Sequence, residues 1–273
     1  MRRLRTLFAL ALLPAIFPGF AVAQGAFAVT GLRVEYRTNP LGLDAARPRF
    51  SWRMETSARN ATQSAYQIQV AIDSASLGGD RQRPLWDSGK IASDASVFLP
   101  YDGPRVTSRT RYHWHVRTWD ANGTASGWSA PAFWETGLLE RAEWTARWIR
   151  RPAADHDTAG APAPMFRRTF TLDGRVRSAR IYVTSLGLYE LHLNGRRVGE
   201  DLFTPGWTSY NKRIQYQVYD VTSLLARGEN VVGAILGDGW YRGYLGFSQR
   251  KNDYGTRVAL LLQTTVMRVL QKG

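Results

Sequence analysis

Cysteine is absent from all 273 residues of the chain. Neither a disulfide nor a zinc site built on thiolates is therefore open to this sequence. Histidine is scarce, and none of the four histidines forms the HxxxH or HExxH spacing of a helical metal site. His113 and His115 lie one residue apart in a predicted strand. The pair could chelate a metal, but a solvated strand face is the favoured interpretation.

Long apolar runs are also missing beyond the N-terminus. The run over residues 7–20 is shorter than the roughly 20 residues that cross a bilayer, and Pro14 and Pro18 interrupt it. Arginines precede this run, and the small-x-small sequence Ala21-Val22-Ala23 follows it, as in an export signal. We therefore predict that residues 1–23 are a cleaved signal peptide, that the mature chain is periplasmic or secreted, and that no segment spans a membrane.

Acidic residues are few relative to basic ones, since 22 Asp and Glu stand against 36 Lys and Arg and give a formal net charge of +14. Such an excess attracts acidic polymers or anionic surfaces. The arginines are, however, scattered along predicted strands and loops, and no signature of a nucleic-acid-binding module occurs. We therefore expect no nucleic-acid partner, and we interpret the arginine usage as that of an exported protein from a genome of high GC content.

Helical periodicity is nearly absent as well, whereas alternation with a period of two is common. Apolar residues alternate with polar ones over 32–36, 50–54 and 112–116, and turn clusters separate such segments. Short strands at this spacing predict an all-β sandwich over residues 31–139. The stretch 112–129, a long strand and turn ending on Trp-Ser, resembles the corresponding region of a fibronectin type III-like domain.

A second sandwich is predicted after a small, polar and Pro-rich loop that lies within residues 141–164. Asn194-Gly195 is typical of a type I′ hairpin turn, because both central residues must take positive φ. Long loops between the strands favour a jelly-roll-like sandwich over residues 165–265. The strands of this sandwich are predicted at 166–172, 179–184, 188–193, 214–219, 231–236 and 257–262, with almost no helix.

The final residues carry a strand pattern that no turn follows. Residues 258–264 are predicted as a strand, whereas 267–273 show neither a turn signal nor a partner strand. A sandwich that lacks its closing strands exposes an edge and an apolar face. We therefore expect the second sandwich to be truncated, in a chain cut short by a frame change or a fragmentary gene.

Three motifs of the second sandwich carry a family signal, namely LHLNGRRVG at 191–199, TPGWTSY at 204–210 and GDGWYRG at 237–243. Together with LWDSG at 85–89 and SRTRY at 108–112, they resemble the N-terminal β-sandwich domains of bacterial α-L-rhamnosidases. That family removes terminal rhamnose from glycans and plant glycosides. The resemblance covers nearly the whole chain after the leader. It implies a fibronectin III-like sandwich, then a jelly-roll-like domain of carbohydrate-binding-module type, with a rhamnose-containing glycan or glycoside as partner.

Two glycine-bearing loops of these motifs display aromatic rings beside polar groups. Sugars stack their C–H faces on such rings, which have an apolar body and a polar tip. Packing into a core or a domain seam is the alternative, since ten tryptophans are spread through the chain; for Asp238 the alternative is an Asx turn. We expect any sugar affinity to be no tighter than about millimolar. The candidate carbohydrate-binding residues are Trp207, Tyr210, Asn211, Asp238, Trp240 and Tyr241.

Catalytic residues are not predicted in this chain. Glycoside hydrolysis usually needs two facing carboxylates, and the spacing of the acidic residues picks out no pair. The resemblance places the family's acid and base in a downstream (α/α)₆ barrel, which is the expected missing partner, so the chain alone is expected to be inactive. Some relatives of the second domain use calcium to bind rhamnose. Asn211 is followed by Lys212 and Arg213, whose charges disfavour a cation, so no metal-binding residue and no cofactor are predicted, and calcium remains the alternative.

Three functions remain open at this point. The first is the accessory, substrate-binding or structural part of an exported α-L-rhamnosidase, and it ranks highest. The second is a stand-alone protein that binds rhamnose or another glycan. The third is a surface adhesion sandwich without a sugar ligand, whose binding would depend on charge and would be lost at modest salt.

Overall fold

The computed structural model describes residues 28–78, 83–152, 162–247 and 249–269. Strands dominate these residues and form two sandwiches in succession, so the predicted all-β fold is confirmed. The predicted signal peptide lies outside the described residues. Within the described ranges, no helix is long and apolar enough to cross a membrane.

The first sandwich packs a three-stranded sheet against a larger one. The first sheet has the order β1-β2-β6, and the second has the order β4-β3-β7-β8 with β5 also paired to β3. Short 3₁₀ turns occur at Ser74–Ser76 and Arg141–Glu143. The strands are β1 (Ala28–Val34), β2 (Arg49–Glu55), β3 (Gln63–Ala71), β4 (Trp86–Asp87), β5 (Ile91–Ala92), β6 (Leu99–Pro100), β7 (Arg111–Asp120) and β8 (Ala132–Glu135).

Aromatic side chains fill the core between these two sheets. The alternation predicted for β2 and β7 is observed, because Phe50, Trp114 and Trp134 are fully buried and Phe50 contacts both tryptophans. The alternation predicted over 32–36 ends early. Tyr36 lies beyond β1 at φ 68°, with 62% of its surface exposed, because the chain turns there instead of continuing as a strand.

The outer face of β7 carries a bonded network in place of the solvated face predicted for its histidines. His115 is only 4% exposed and stacks on Trp128 at 3.9 Å between ring centroids. Its Nε2 lies 2.9 Å from Oε1 of Gln69. The Arg117 guanidinium covers the Trp128 ring and donates to Gln67. Burial, and to a smaller extent the charge of Arg117, lower the pKa of His115 to about 4.

The second sandwich faces sheet β13-β10-β15 against sheet β12-β11-β14-β9. The 3₁₀ turn Thr222–Leu224 and the one-turn helix α1, Gly239–Arg242, are the helical elements in this part of the described chain. Its strands are β9 (Met165–Leu172), β10 (Val176–Leu186), β11 (Leu188–Leu193), β12 (Arg196–Arg197), β13 (Gln217–Asp220), β14 (Gly228–Gly237) and β15 (Ala259–Arg268).

The predicted hairpin turn between β11 and β12 is confirmed. Asn194 and Gly195 have φ of 52° and 77°, as a type I′ turn requires. The Asn194 side chain also accepts from the backbone N–H of Val231 and donates to Asn230, both at 2.8 Å. The turn is therefore held against β14, and the apolar residues of β11 point into a core with Leu236.

Three predictions about the second sandwich need correction. The strand predicted over 214–219 is shorter, since β13 begins at Gln217. The stretch 239–242 forms one helical turn where a loop was predicted. The prediction that Met267 has no partner strand is wrong, because β15 pairs with β10 as far as Arg268. Local sequence lacked this information, since the partner is about 90 residues earlier in the chain.

The two sandwiches contact each other through an ion pair and a tyrosine. Arg180 of β10 donates to both carboxylate oxygens of Glu135 in β8, at 2.6 and 2.9 Å. The Tyr216 hydroxyl accepts from the backbone N–H of Leu138 at 2.8 Å. A Cβ at Gly137 would lie 2.1 Å from that hydroxyl, so glycine is needed for the close approach. These contacts fix the seam between the sandwiches.

Candidate functional site

Two indoles that lie far apart in sequence stack at one end of the second sandwich. Trp207 follows β12 in the loop that leads to β13, and Trp240 lies in α1 after β14. Their ring centroids are 5.9 Å apart and their planes differ by 6°. Trp207 is 55% exposed, whereas Trp240 is half-buried. We call Trp207 and Trp240 the indole pair; it offers a flat apolar surface to solvent.

The turn that carries Trp240 depends on one glycine. Gly239 has φ +51°, and a Cβ there would lie 2.5 Å from the Leu188 side chain at the start of β11. A glycine tolerates both the left-handed backbone and the close approach. The motif GDGWYRG therefore holds the turn that carries Trp240 against the start of β11.

Tyrosines lie beside the indole pair and support it. Tyr210 is 7% exposed and donates from its hydroxyl to the Gly206 carbonyl at 2.9 Å. Its ring packs edge-on against Tyr241 and tilted against Tyr254, with centroids 5.4 and 5.0 Å apart. Burial raises the pKa of Tyr210 and of Tyr241. Both hydroxyls are therefore neutral hydrogen-bonding groups at physiological pH.

Asp238 is held in an ion pair. Its Oδ1 accepts from Nε of Arg242, four residues later, and Arg242 is 7% exposed. Arg242 also donates to the carbonyl of Thr256 at 2.8 Å. The Asp238 carboxylate makes no side-chain cap bond to α1. Asp238 therefore holds the loop after β14 in place through Arg242. Neither of the two roles expected for Asp238, a sugar contact or an Asx turn, involves this ion pair.

Asn211 lies in an exposed turn between Tyr210 and Lys212. The backbone N–H groups of Lys212 and Arg213 both donate to the Ser209 carbonyl, at 2.8 and 2.9 Å, which closes this turn. No group of three His, Asp or Glu side chains gathers here or elsewhere in the described ranges. The residues around Asn211 therefore do not fit a calcium ion, which prefers several carboxylate and carbonyl oxygens.

Several acidic side chains of the second sandwich are engaged by cationic or hydroxyl groups. Glu190 pairs with His192 and Arg197, and Asp201 accepts from the Tyr219 hydroxyl at 2.9 Å. The hydrogen bond from His192 lowers the pKa of Glu190. A glycosidase acid needs the opposite, a carboxyl pKa that its surroundings raise. Glu190 is therefore unsuited to act as a general acid.

Asp220 is unsuited for the same reason. Burial raises the pKa of Asp220, but the bonds from Thr222 and the charge of Arg180 outweigh it, so the net shift is downward. Its Oδ2 lies 2.9 Å from Arg180. The structure thus gives neither carboxylate the environment of a glycosidase acid.

Phe203 and Tyr254 belong to the same cluster although sequence reasoning missed them. The Phe203 ring packs edge-on against Trp240 at 6.1 Å, and the Tyr254 hydroxyl accepts from Nε1 of Trp207 at 3.3 Å. Phe203 directly precedes the TPGW motif, so its place in the sequence near Trp207 could have marked it as part of the cluster. No such sequence signal marks Tyr254, because it lies 47 residues after Trp207 and contacts it only in the folded chain.

Two family models match the chain. The Rha78A-like N-terminal immunoglobulin domain matches residues 29–140, and the alpha-L-rhamnosidase N-terminal domain matches residues 174–269. The two matches coincide with the two sandwiches. The aromatic cluster therefore lies in the domain that resembles the alpha-L-rhamnosidase N-terminal domain.

Similar proteins support the same assignment. An alpha-L-rhamnosidase of Streptomyces avermitilis is 32% identical over 89% of this chain and 39% of its own length. One from an Alteromonas species is 43% identical over 78% of this chain and 24% of its own length. The crystal structure of a Streptomyces avermitilis alpha-L-rhamnosidase with L-rhamnose superimposes with a TM-score of 0.81, at 30% identity, over 89% of this chain and 39% of that one.

The chain therefore spans less than half the length of these relatives, and it matches their N-terminal part. Both sandwiches are recognised by sequence and by structure, and the chain contains the two N-terminal β-sandwich domains of the α-L-rhamnosidase family.

Proposed function

We propose that the two sandwiches are the non-catalytic, substrate-holding N-terminal part of an exported α-L-rhamnosidase. In this proposal the second sandwich binds a terminal rhamnose of a glycan or glycoside on the indole pair. The observation that carries the proposal is the parallel, partly exposed stacking of Trp207 and Trp240. An aromatic ring that is exposed on a loop and packed against neighbouring side chains is typical of a binding surface.

The chemistry of rhamnose suits such a surface. Rhamnose is a 6-deoxy sugar, so a methyl group and C–H bonds give one side an apolar character, while hydroxyls occupy the rim. The indole pair provides the apolar surface, and the Tyr254 hydroxyl and the Trp207 N–H lie at its edge, 3.3 Å apart. The surface is shallow, so little area is buried to offset the freedom lost on binding. We expect a dissociation constant of about 1 mM or weaker.

Binding is tested by titrating L-rhamnose into the mature chain and into three variants. Trp240→Ala and Trp207→Ala should abolish measurable binding. Trp148→Ala is the matched control, because Trp148 is 42% exposed and lies in the segment before β9, outside the cluster. Equal retention of binding in all three variants, or binding that disappears at modest salt, would favour charge-driven surface adhesion over sugar recognition.

Catalysis is tested separately with an aryl α-L-rhamnoside. We expect no turnover above a boiled control, because Glu190 and Asp220 are both ion-paired and neither has the raised pKa of a general acid. Clear turnover that is lost in Asp238→Ala would show that the reacting carboxylates lie in this domain after all. Turnover that survives Asp238→Ala would point to another acidic residue of the chain.

Export is the remaining part of the proposal, and it rests on the leader sequence alone. Arg2, Arg3 and Arg5 precede the apolar run, and Ala21-Val22-Ala23 ends it. Expression in a bacterium should give a periplasmic or extracellular protein whose N-terminal residue is Gln24. A cytoplasmic protein that retains Met1 would contradict this part and would leave the binding proposal unaffected.

A further inference from the structure

A polar groove runs along the seam between the two sandwiches. Its volume is about 550 Å³. One wall comes from residues 35–44 of the first sandwich, and the other from residues 201–206 and 213–218 of the second. The volume lies in the range of ordinary ligand sites. The groove is therefore large enough for more than a single sugar ring.

The groove wall that the second sandwich contributes contains apolar side chains that are exposed to solvent. Leu202 is 71% exposed and Phe203 is 66% exposed. Phe203 also has φ 56°, a strained left-handed backbone that is rare for a bulky residue. Packing does little to offset this strain, because two thirds of the side chain remain in water. A strained and exposed aromatic residue is typical of a ligand site.

Polar side chains on both walls have unused hydrogen-bonding capacity. The carboxylate of Asp44 and the side-chain amide of Gln215 make no hydrogen bond with any residue in the described part of the chain, and both are exposed. Gln217, deeper in the groove, is already held by the Tyr189 hydroxyl at 2.8 Å. Sugar hydroxyls need donors and acceptors of this kind, which an amide and a carboxylate provide.

The charges in the groove nearly cancel. Arg37 and Arg213 oppose Asp44 and Asp201, and Glu35 is paired with an arginine of its own sandwich. A groove of this composition has no strong preference for an anion or a cation. It therefore fits a neutral glycan better than the acidic polymers that the net charge of +14 suggests for the whole chain.

Phe203 connects the groove to the indole pair. Phe203 lines the groove and contacts Trp240 at 6.1 Å, and Trp240 stacks on Trp207 at 5.9 Å. We infer that the groove is a subsite for a neutral oligosaccharide. The terminal sugar lies on the indole pair, and the following sugar units lie between the two sandwiches, with Phe203 as the link. This inference rests on the proposed function, because it extends the same site.

The walls of the groove are held in place without a ligand. A Cβ at Gly42 would lie 2.4 Å from Cγ2 of Val218, so the two sandwiches are in direct contact there. Tyr216 bonds to Leu138 across the same seam. A preformed groove requires little ordering on binding, which favours affinity. The subsite therefore depends on both sandwiches being present in one chain.

The experiment compares the affinity of the mature chain for L-rhamnose with its affinity for a trisaccharide of α-linked L-rhamnose. We expect the trisaccharide to bind at least about tenfold more tightly. Gln215→Ala and Asp44→Ala should each lower trisaccharide affinity by about fivefold, the effect of one lost hydrogen bond, and leave L-rhamnose affinity unchanged. Asp173→Ala is the matched control, since Asp173 is exposed on the loop between β9 and β10.

A second variant separates folding from binding. Phe203→Gly removes the ring and relieves the left-handed strain, so it should keep or raise stability towards urea while lowering trisaccharide affinity. If the trisaccharide binds no more tightly than L-rhamnose and Trp240→Ala abolishes both, the groove inference is overturned and the proposed function stands. If neither sugar binds, both are overturned. If trisaccharide affinity is equal in Gln215→Ala, Asp44→Ala and Asp173→Ala, the gain arises outside the groove and the inference fails.

Discussion

Mild acid should destabilise the first sandwich through His115. This residue is buried between Gln69 and Trp128 on β7, and its pKa falls from 6.5 to about 4 because burial penalises the charged ring. The unfolded chain therefore binds a proton in a pH range where the folded chain does not. Stability is fully present above pH 6.5 and is lost as the pH falls towards 4, with no further loss from this group below that value.

The size of the effect follows from the two pKa values. Between pH 7 and pH 5, protonation of His115 in the unfolded state lowers the free energy of unfolding by about 2 kcal/mol. His113, whose pKa burial also lowers, adds a contribution of the same sign. The carboxylates of Asp87 and Asp220 have lowered pKa values, so their contributions are lost mainly at lower pH. The interval from pH 7 to pH 5 is therefore the one that reports on the histidines.

The assay is urea unfolding of the mature chain at pH 7 and at pH 5, followed by tryptophan fluorescence. His115→Gln should reduce the loss of stability between the two pH values by about 2 kcal/mol, even though the variant is less stable at pH 7. If His115→Gln keeps the wild-type pH dependence, the buried His115 ring does not cause the loss of stability between pH 7 and pH 5.

Two further changes test the core and the seam. Trp114→Ala should destabilise the first sandwich by about 3–5 kcal/mol, since the ring is fully buried, and urea unfolding measures it; a loss below 1 kcal/mol would contradict this. Arg180→Ala should cost about 2–3 kcal/mol, less than the usual 3–5 for a broken buried pair, because Glu135 keeps its bonds to Arg111. Arg105→Ala, which removes an exposed ion pair, should cost at most about 1 kcal/mol. Equal losses of stability in Arg180→Ala and Arg105→Ala would contradict the role of the Arg180–Glu135 pair in holding the two sandwiches together.

Much of the fold could be predicted from the sequence, because its signals are local. Alternation over a few residues reports which face of a strand is buried, and the sheets place Phe50, Tyr112 and Trp114 accordingly. The Asn194-Gly195 turn requires two consecutive residues with positive φ, and the Asn-Gly dipeptide itself indicates such a turn. Both aromatic loops could also be recognised from the sequence, since each carries a tryptophan within a turn-rich motif, whereas the stacking of the two rings is seen only in the structure.

Contacts between distant segments could not be predicted in this way. The pairing of β15 with β10, the approach of Tyr254 to Trp207 and the interdomain bond of Arg180 each join residues separated by at least 45 positions. Burial of His115 under Trp128 depends on the turn after β7, which alternation alone does not describe. Asp238 and Arg242 form an ion pair across one helical turn. Because a loop was predicted for that segment, their spacing of four residues was not recognised as a pair.

The central claim is that the indole pair binds terminal rhamnose, and an NMR titration tests it most directly. L-rhamnose is added to the ¹⁵N-labelled mature chain, and the indole Nε1–H signals of Trp207 and Trp240 are followed. Both signals should shift together and saturate with a dissociation constant of about 1 mM or weaker, while Trp148 and Trp128 stay unmoved. Unchanged Trp207 and Trp240 signals at tens of millimolar rhamnose, or equal shifts of all tryptophans, would contradict it.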